Sequence, residues 1–269
     1  MAKPKNTENN APLPATEAPQ ALATTDYGLL TEKPSWIKSD DRRGAENVDV
    51  TDLKIPRLAI AQDLSPQLKR TKAEYIEGLE LYDLFNNLTG TVYGRGPIAF
   101  LPIRMDKRAM EWYPRDSKEG EGIKDRDVPW DDDRCQFHGD EPPVATRYYD
   151  FIALLLPTLE PIVISCHDTN FKHGKTLLSL IQFGGGPFWS RVYKVETVIE
   201  RKDAYEWGAF KFGVVPGYPT DEMALAAENA YEAFKGKALA VDEEADRGGA
   251  AQAEPEADAP PTTSAADVV

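Results

Sequence analysis

The sequence predicts a mainly β body with flanking helices, an α+β fold, between two termini too poor in apolar residues to fold. Three observations carry this. Apolar residues recur mostly at period two between residues 97 and 215. Two stretches, 170–183 and 220–235, repeat at helical spacing instead. Residues 1–25 are rich in Pro, Ala, Thr and Asn, and residues 240–269 in Ala, Pro, Glu and Asp, so neither offsets its ordering entropy by burial. The expected organisation is a disordered N-terminal arm (1–25), one domain (26–239) and a disordered acidic tail (240–269). Within 26–50, Tyr27, Leu29, Leu30, Trp36 and Ile37 suffice to dock a short segment on the body.

The elements follow in order. Residues 97–104 (PIAFLPIR) and 109–114 (AMEWYP) flank the polar run 105–108 and predict a hairpin or strand pair. Residues 115–145 are charged and rich in Asp, Gly and Pro, as in a long excursion from a sheet. Residues 146–156 (TRYYDFIALLL) alternate and then turn wholly apolar, as a strand does on entering a core, and 161–166 (PIVISC) follow after a short turn. Asp168 has the chemistry of an N-cap for a helix carrying Phe171, Leu177, Leu178 and Ile181, which the GGGP run at 184–187 stops. Strands are expected at 188–201 and 205–215. The last helix, 220–235, groups Met223, Ala226, Ala227, Ala230, Tyr231 and Phe234 on one face. Five or six short antiparallel strands with a helix after the third or fourth fit an OB-like, partly open barrel. A simple α+β sheet with one covered face fits as well.

Charge is unevenly placed. The net charge is −14, but residues 242–269 carry eight acids and one base, half of that total. Residues 51–215 hold 22 bases and 25 acids and are nearly neutral, although 125–133 alone contain five acids. No apolar run approaches the about 18 residues of a membrane span, and the first twelve residues lack the apolar core of a secretory signal. The expectation is a cytoplasmic protein without membrane contact. The two cysteines are too few for a disulfide framework.

Enzyme signatures are lacking. The GGGP run follows a helix and so lacks the helix N-terminus of a phosphate cradle. No nucleophile elbow and no HExxH occur. Cys135 and His138, with Cys166, His167 and His173, include enough soft and imidazole ligands for a tetrahedral zinc site, but without a recurring knuckle spacing. The carboxylates of Asp131, Asp132 and Asp133 sit on one Pro-flanked loop, whereas a two-metal nuclease normally gathers them from separate strands. No cofactor and no catalytic residue is expected.

The stronger pattern interleaves cations with aromatic rings. Arg104, Lys107, Arg108, Trp112, Tyr113 and Arg115 fall within twelve residues. Arg147, Tyr148 and Tyr149 open the next strand. Trp189, Arg191 and Tyr193 share one parity of theirs, Lys172 and Lys175 lie on the helix, and Trp207 and Lys211 share a face of the last strand. Cations neutralise phosphates, and exposed rings stack on bases at about 1–3 kcal/mol per base. The competing explanation is that the rings are core residues and the cations edge their strands. The acidic tail fits either a tethered competitor for a cationic groove or a solubilising terminus.

Residues 50–67 (VTDLKIPRLAIAQDLSPQ), 75–78 (YIEG), 84–90 (LFNNLTG) and the strand from Ala99 to Trp112 resemble segments of phage-encoded single-stranded DNA-binding proteins. The likeness covers about residues 50–215. It implies an OB-type core, sequence-nonspecific coating of single-stranded DNA in phage replication and recombination, and location in the host cytoplasm. It also implies a tail that contacts replication proteins such as polymerase or helicase-primase, and it is compatible with a homo-oligomer. The tail here ends in Ala266, Asp267, Val268 and Val269, without the terminal aromatic residue usual in such tails. The alternatives are a phage structural or assembly protein and a metal-dependent nuclease or recombination accessory protein.

Overall fold

The computed structural model describes residues 46–48, 52, 54–114, 117–120, 122–139 and 141–237. The expected N-terminal arm, most of the docking segment 26–50, the acidic tail and Arg115 lie outside the described residues. Residues 46–48 form a turn of a first small unit. The described strands and helices belong to a second, which starts at Asp49.

The second unit is mainly β with two helices. A small antiparallel sheet, in order β1 (Leu58–Ile60), β2 (Leu84–Asn86), β3 (Val92–Gly94), precedes the main one. The main sheet runs β7 (Glu160–Cys166), β6 (Ala145–Leu155), β4 (Ile98–Trp112), β8 (Tyr193–Lys202), β9 (Tyr205–Val214), all antiparallel, and β5 (Ile123–Asp125) pairs with the far end of β4. Helix α1 (Phe171–Gly184) joins β7 to β8, and α2 (Asp221–Phe234) ends the described chain. The main sheet is not closed, because its path ends at β7 and β9.

Both faces of this sheet are covered, which explains the wholly apolar run in β6. Tyr149, Phe151, Ala153 and Leu155 point into a core with Ile162, Ile164, Phe100, Val195, Phe210, and Leu177 and Ile181 of α1. The alternate residues Ile152 and Leu154 point to the other face, where Leu101, Ile103 and Val163 meet Ala227 and Phe234 of α2. Burying a side chain such as Leu177 or Ile181 contributes about 1.5–3 kcal/mol.

Residues 56–62 run between the two end strands and occupy both edges. The Val163 N–H donates to the Pro56 carbonyl at 2.8 Å. The Gln62 amide bonds both backbone groups of Gly208 in β9, at 2.8 and 3.0 Å. Asn170 accepts from the Phe210 N–H at 2.7 Å. Side chains thus satisfy edge groups that would otherwise template further strand pairing.

Three local expectations are corrected. Residues 97–114 are not a hairpin but one 15-residue strand, because β6 pairs along nearly its whole length, across Lys107↔Tyr149 and Arg108↔Tyr148. The polar run 105–108 is mid-strand, with a register shift between Pro102 and Arg104. Asp168 does not cap α1. It opens a short 3₁₀ turn at φ 46°, and Asn170 holds the cap position while its side chain serves β9. Residues 188–190 form another 3₁₀ turn, so β8 starts only at Tyr193 and Trp189 shares no strand face with it. The helix stop is as expected, with Gly185 and Gly186 at φ 70° and 78°. So is α2, capped by Thr220 accepting from the Met223 N–H at 3.3 Å.

Candidate functional site

The long loop between β4 and β6 is built onto the sheet rather than hung from it. Arg134 reaches Glu111 at 2.8 Å, Asp125 at 2.9 Å and Asp132 at 3.0 Å, and Lys124 reaches Glu111 at 2.6 Å. Hydrogen bonds from Lys124 and Arg134 hold the Glu111 carboxyl below the usual carboxylate range, against its burial. Arg134 lowers Asp125 and Asp132 in the same way. Beneath them Val128 and Cys135 pack on Ala109 and Ala145. Part of the acidic run is therefore neutralised internally.

That anchoring delivers Trp130 to the sheet. Its ring centre lies 5.3 Å from Tyr149 and 6.1 Å from Phe171, and Tyr149 and Phe171 stack at 4.7 Å with planes 10° apart. Gly174 allows this closeness, because a Cβ there would stand 2.7 Å from Cys166 Cβ and 3.2 Å from Tyr149. Tyr149 is buried and burial pushes its hydroxyl pKa up, while Trp130 and Phe171 are partly buried.

Cations ring this stack. Lys107 Nζ and the Arg147 guanidinium each lie 5.3 Å from the Trp130 ring centre, and Lys175 Nζ lies 5.1 Å from that of Phe171. The Arg147 Nε also donates to the Trp130 carbonyl at 3.1 Å. Among the described residues none of these three cations has a carboxylate partner.

The other residues singled out by sequence are placed elsewhere. Arg104 binds Asp106 and the carbonyls of Phe234 and Lys237, closing the end of α2. Arg108 pairs with the buried Asp150 and lies 4.7 Å from the Tyr148 ring centre. Tyr148 is buried, its hydroxyl facing the Trp112 Nε1 at 3.2 Å. The Tyr113 N–H donates to the Gly122 carbonyl. Lys172 pairs with Glu200 at 2.7 Å and Lys211 with Glu196 at 2.8 Å. Burial works against the Glu200 carboxylate, yet Lys172 and His173 hold it low. Trp189 packs on Tyr231 of α2 at 5.4 Å, Arg191 lies 5.4 Å from the Tyr218 ring centre, and Tyr193 is fully buried. Among the described residues the buried Trp207 indole N–H has no hydrogen-bond partner. Lys107, Arg147, Tyr149 and Lys175 thus come together, whereas the other described candidates do not join them.

Sequence reasoning missed Trp130 and Phe171. The first was hidden in an acidic loop and the second counted as helix core. The zinc candidates are not gathered: Cys135 and Cys166 are buried in separate clusters, His138 lies by Asp133, and His167 packs on Tyr148. Burial pushes the Cys166 thiol up, away from the thiolate a metal needs. Among the described residues no group of three or more His, Cys, Asp or Glu is placed to hold a metal, the Asp131–Asp133 run included. No described helix is long and apolar enough to cross a membrane.

Residues 25–240 match the family described as Pam3 phage gp34-like protein, most of the chain. The chain belongs to the Pam3 phage gp34-like family. No curated protein and no solved structure matches it. In this gp34-like chain the matched region holds the whole Trp130–Tyr149–Phe171 stack and its cations.

Proposed function

We propose that this phage protein binds single-stranded DNA without sequence preference, through the Trp130–Tyr149–Phe171 stack and the surrounding Lys107, Arg147 and Lys175. It acts by binding rather than catalysis, in phage replication or recombination. One observation carries the reading: three cations without carboxylate partners among the described residues surround rings whose outer members are only partly buried. The contrast with Arg104, Arg108, Lys124, Arg134, Lys172 and Lys211, all paired, makes the group stand out. Rings stack on bases of any identity, and free cations displace counterions from phosphates.

The connectivity supports an OB-like, partly open barrel. Three long strands, β4, β6 and β7, precede the helix and a hairpin, β8–β9, follows it, with β8 returning beside β4. The long loop after the first of these strands then lies where such folds grip oligonucleotides. The acidic residues 242–269 act in this reading as a tethered polyanion competing for the patch.

Titration with oligo(dT), followed by tryptophan fluorescence at low and high salt, tests it. Trp130→Ala, checked for folding by circular dichroism, is expected to weaken binding by about 1–3 kcal/mol. The double variant Lys107→Gln, Lys175→Gln, exposed at both positions, is expected to weaken it further as salt falls. Absence of oligo(dT) binding by the parent at low salt overturns the reading. Salt-resistant oligomers formed without DNA would favour an assembly role instead.

A further inference from the structure

We propose that a strand bound at the Trp130 stack continues along the exposed side of α1 to a second contact made by Phe183, Arg191 and Tyr218. This rests on the single-strand reading above and extends its footprint to one more base-stacking and phosphate-binding point.

Helix α1 carries no acidic residue over its 14 positions. Its exposed side presents Lys172, Lys175, Thr176, Ser179, Gln182 and Phe183, at spacings that keep them on one stripe. The carboxylate that reaches the helix from outside, Glu200 of β8, is occupied by Lys172 and His173. A polyanion following this stripe meets uncharged side chains between two cationic ends. At 1.5 Å per residue the helix spans about 21 Å, within the run of about 4–16 nucleotides that one OB-type module covers.

The far end repeats the chemistry of the near one. Phe183 is 90% exposed and Tyr218 75%. Arg191 packs at the end of α1, its Cδ 3.4 Å from where a Cβ on Gly184, the residue after Phe183, would stand, and its guanidinium lies 5.4 Å from the Tyr218 ring centre. Among the described residues Arg191 has no carboxylate partner. Asp221 and Glu222 follow Tyr218 but occupy the first turn of α2, where the helix dipole favours acids. Charge complementarity therefore selects a polyanion over an apolar or basic partner, and the two exposed rings favour one that carries stackable bases.

The test compares oligo(dT) of about 4 and about 12 nucleotides, lengths at the short and longer ends of such sites, on the full-length protein. In the parent the longer strand binds more tightly. The variants Phe183→Ala, Tyr218→Ala and Arg191→Gln are each expected to shrink that gain, by about 5- to 150-fold for a lost stack. Trp130→Ala lowers affinity at both lengths. Trp130-dependent binding whose length gain is unchanged in all three variants overturns the second contact and leaves the first. Loss of self-association in Phe183→Ala without change in the length gain also overturns it, in favour of a second copy of the chain. Failure of both oligonucleotides to bind the parent refutes the underlying reading instead.

Discussion

Removing one unpaired cation from the stack lowers the salt dependence of binding, whereas removing a paired one leaves it unchanged. For a short oligo(dT) confined to the Trp130 stack, Lys107, Arg147 and Lys175 each neutralise one phosphate. Counterion release from single strands gives a log–log slope of about −0.7 per phosphate, hence about −2 for three contacts. A fourfold rise in salt then weakens binding about 20-fold in the parent. Lys107→Gln or Lys175→Gln leaves two contacts, a slope of about −1.4 and a loss of about 7-fold over the same range. The control is Lys211→Gln, whose ammonium group already faces Glu196 at 2.8 Å. It should keep the parental slope, because this ammonium is bonded to a carboxylate and neutralises no phosphate. Fluorescence titration at four or so salt concentrations reads the slopes. Equal slope changes for paired and unpaired lysines would refute the argument, since net charge rather than local geometry would then govern binding.

Asp150→Ala removes the buried carboxylate that pairs with Arg108 and accepts from Ser165, and should cost about 3–5 kcal/mol in urea unfolding, as breaking buried pairs does; a loss below about 1 kcal/mol would place the pair effectively in solvent. Gln62→Ala frees both backbone groups of Gly208 on the β9 edge. It should lower stability by about 1–3 kcal/mol and promote association on size exclusion, and an unchanged monomer fraction and midpoint would count against edge protection. The Glu111 carboxyl is held low by Lys124 and Arg134, so its stabilisation is complete above the ordinary value of 4.5 and disappears as pH falls through its lower folded value. Hydrogen exchange of residues 122–139 should stay slow from neutral pH to that point and quicken below it. Loosening already near neutral pH would contradict this anchor.

The alternation of 146–156 and the apolar 161–166 made β6 and β7 legible, because side-chain period is a local property. Strand β4 was misjudged because Asp106, Lys107 and Arg108 look like a turn until β6 supplies partners across the sheet. The three short strands β1 to β3 carry too few residues for periodicity, and their pairing spans up to 28 residues, as at Leu58↔Asn86. At the site, Lys107, Arg147, Tyr149 and Lys175 were identified from cation–aromatic interleaving. Trp130 was not, since contacts distant in sequence, such as Arg134 with Glu111 and Val128 with Ala109, turn an acidic loop toward the sheet. Tyr148 and Tyr193 satisfied the same interleaving but are core, which composition alone does not distinguish from a stacking platform.

Ultraviolet cross-linking of oligo(dT) to the full-length protein, followed by peptide mapping, tests the central claim most directly, because it reports position as well as binding. The account predicts adducts on peptides containing Trp130 and Phe171, reduced at high salt in step with affinity. Cross-links confined to peptides that hold Trp112 or Trp189, or none at low salt, would contradict it.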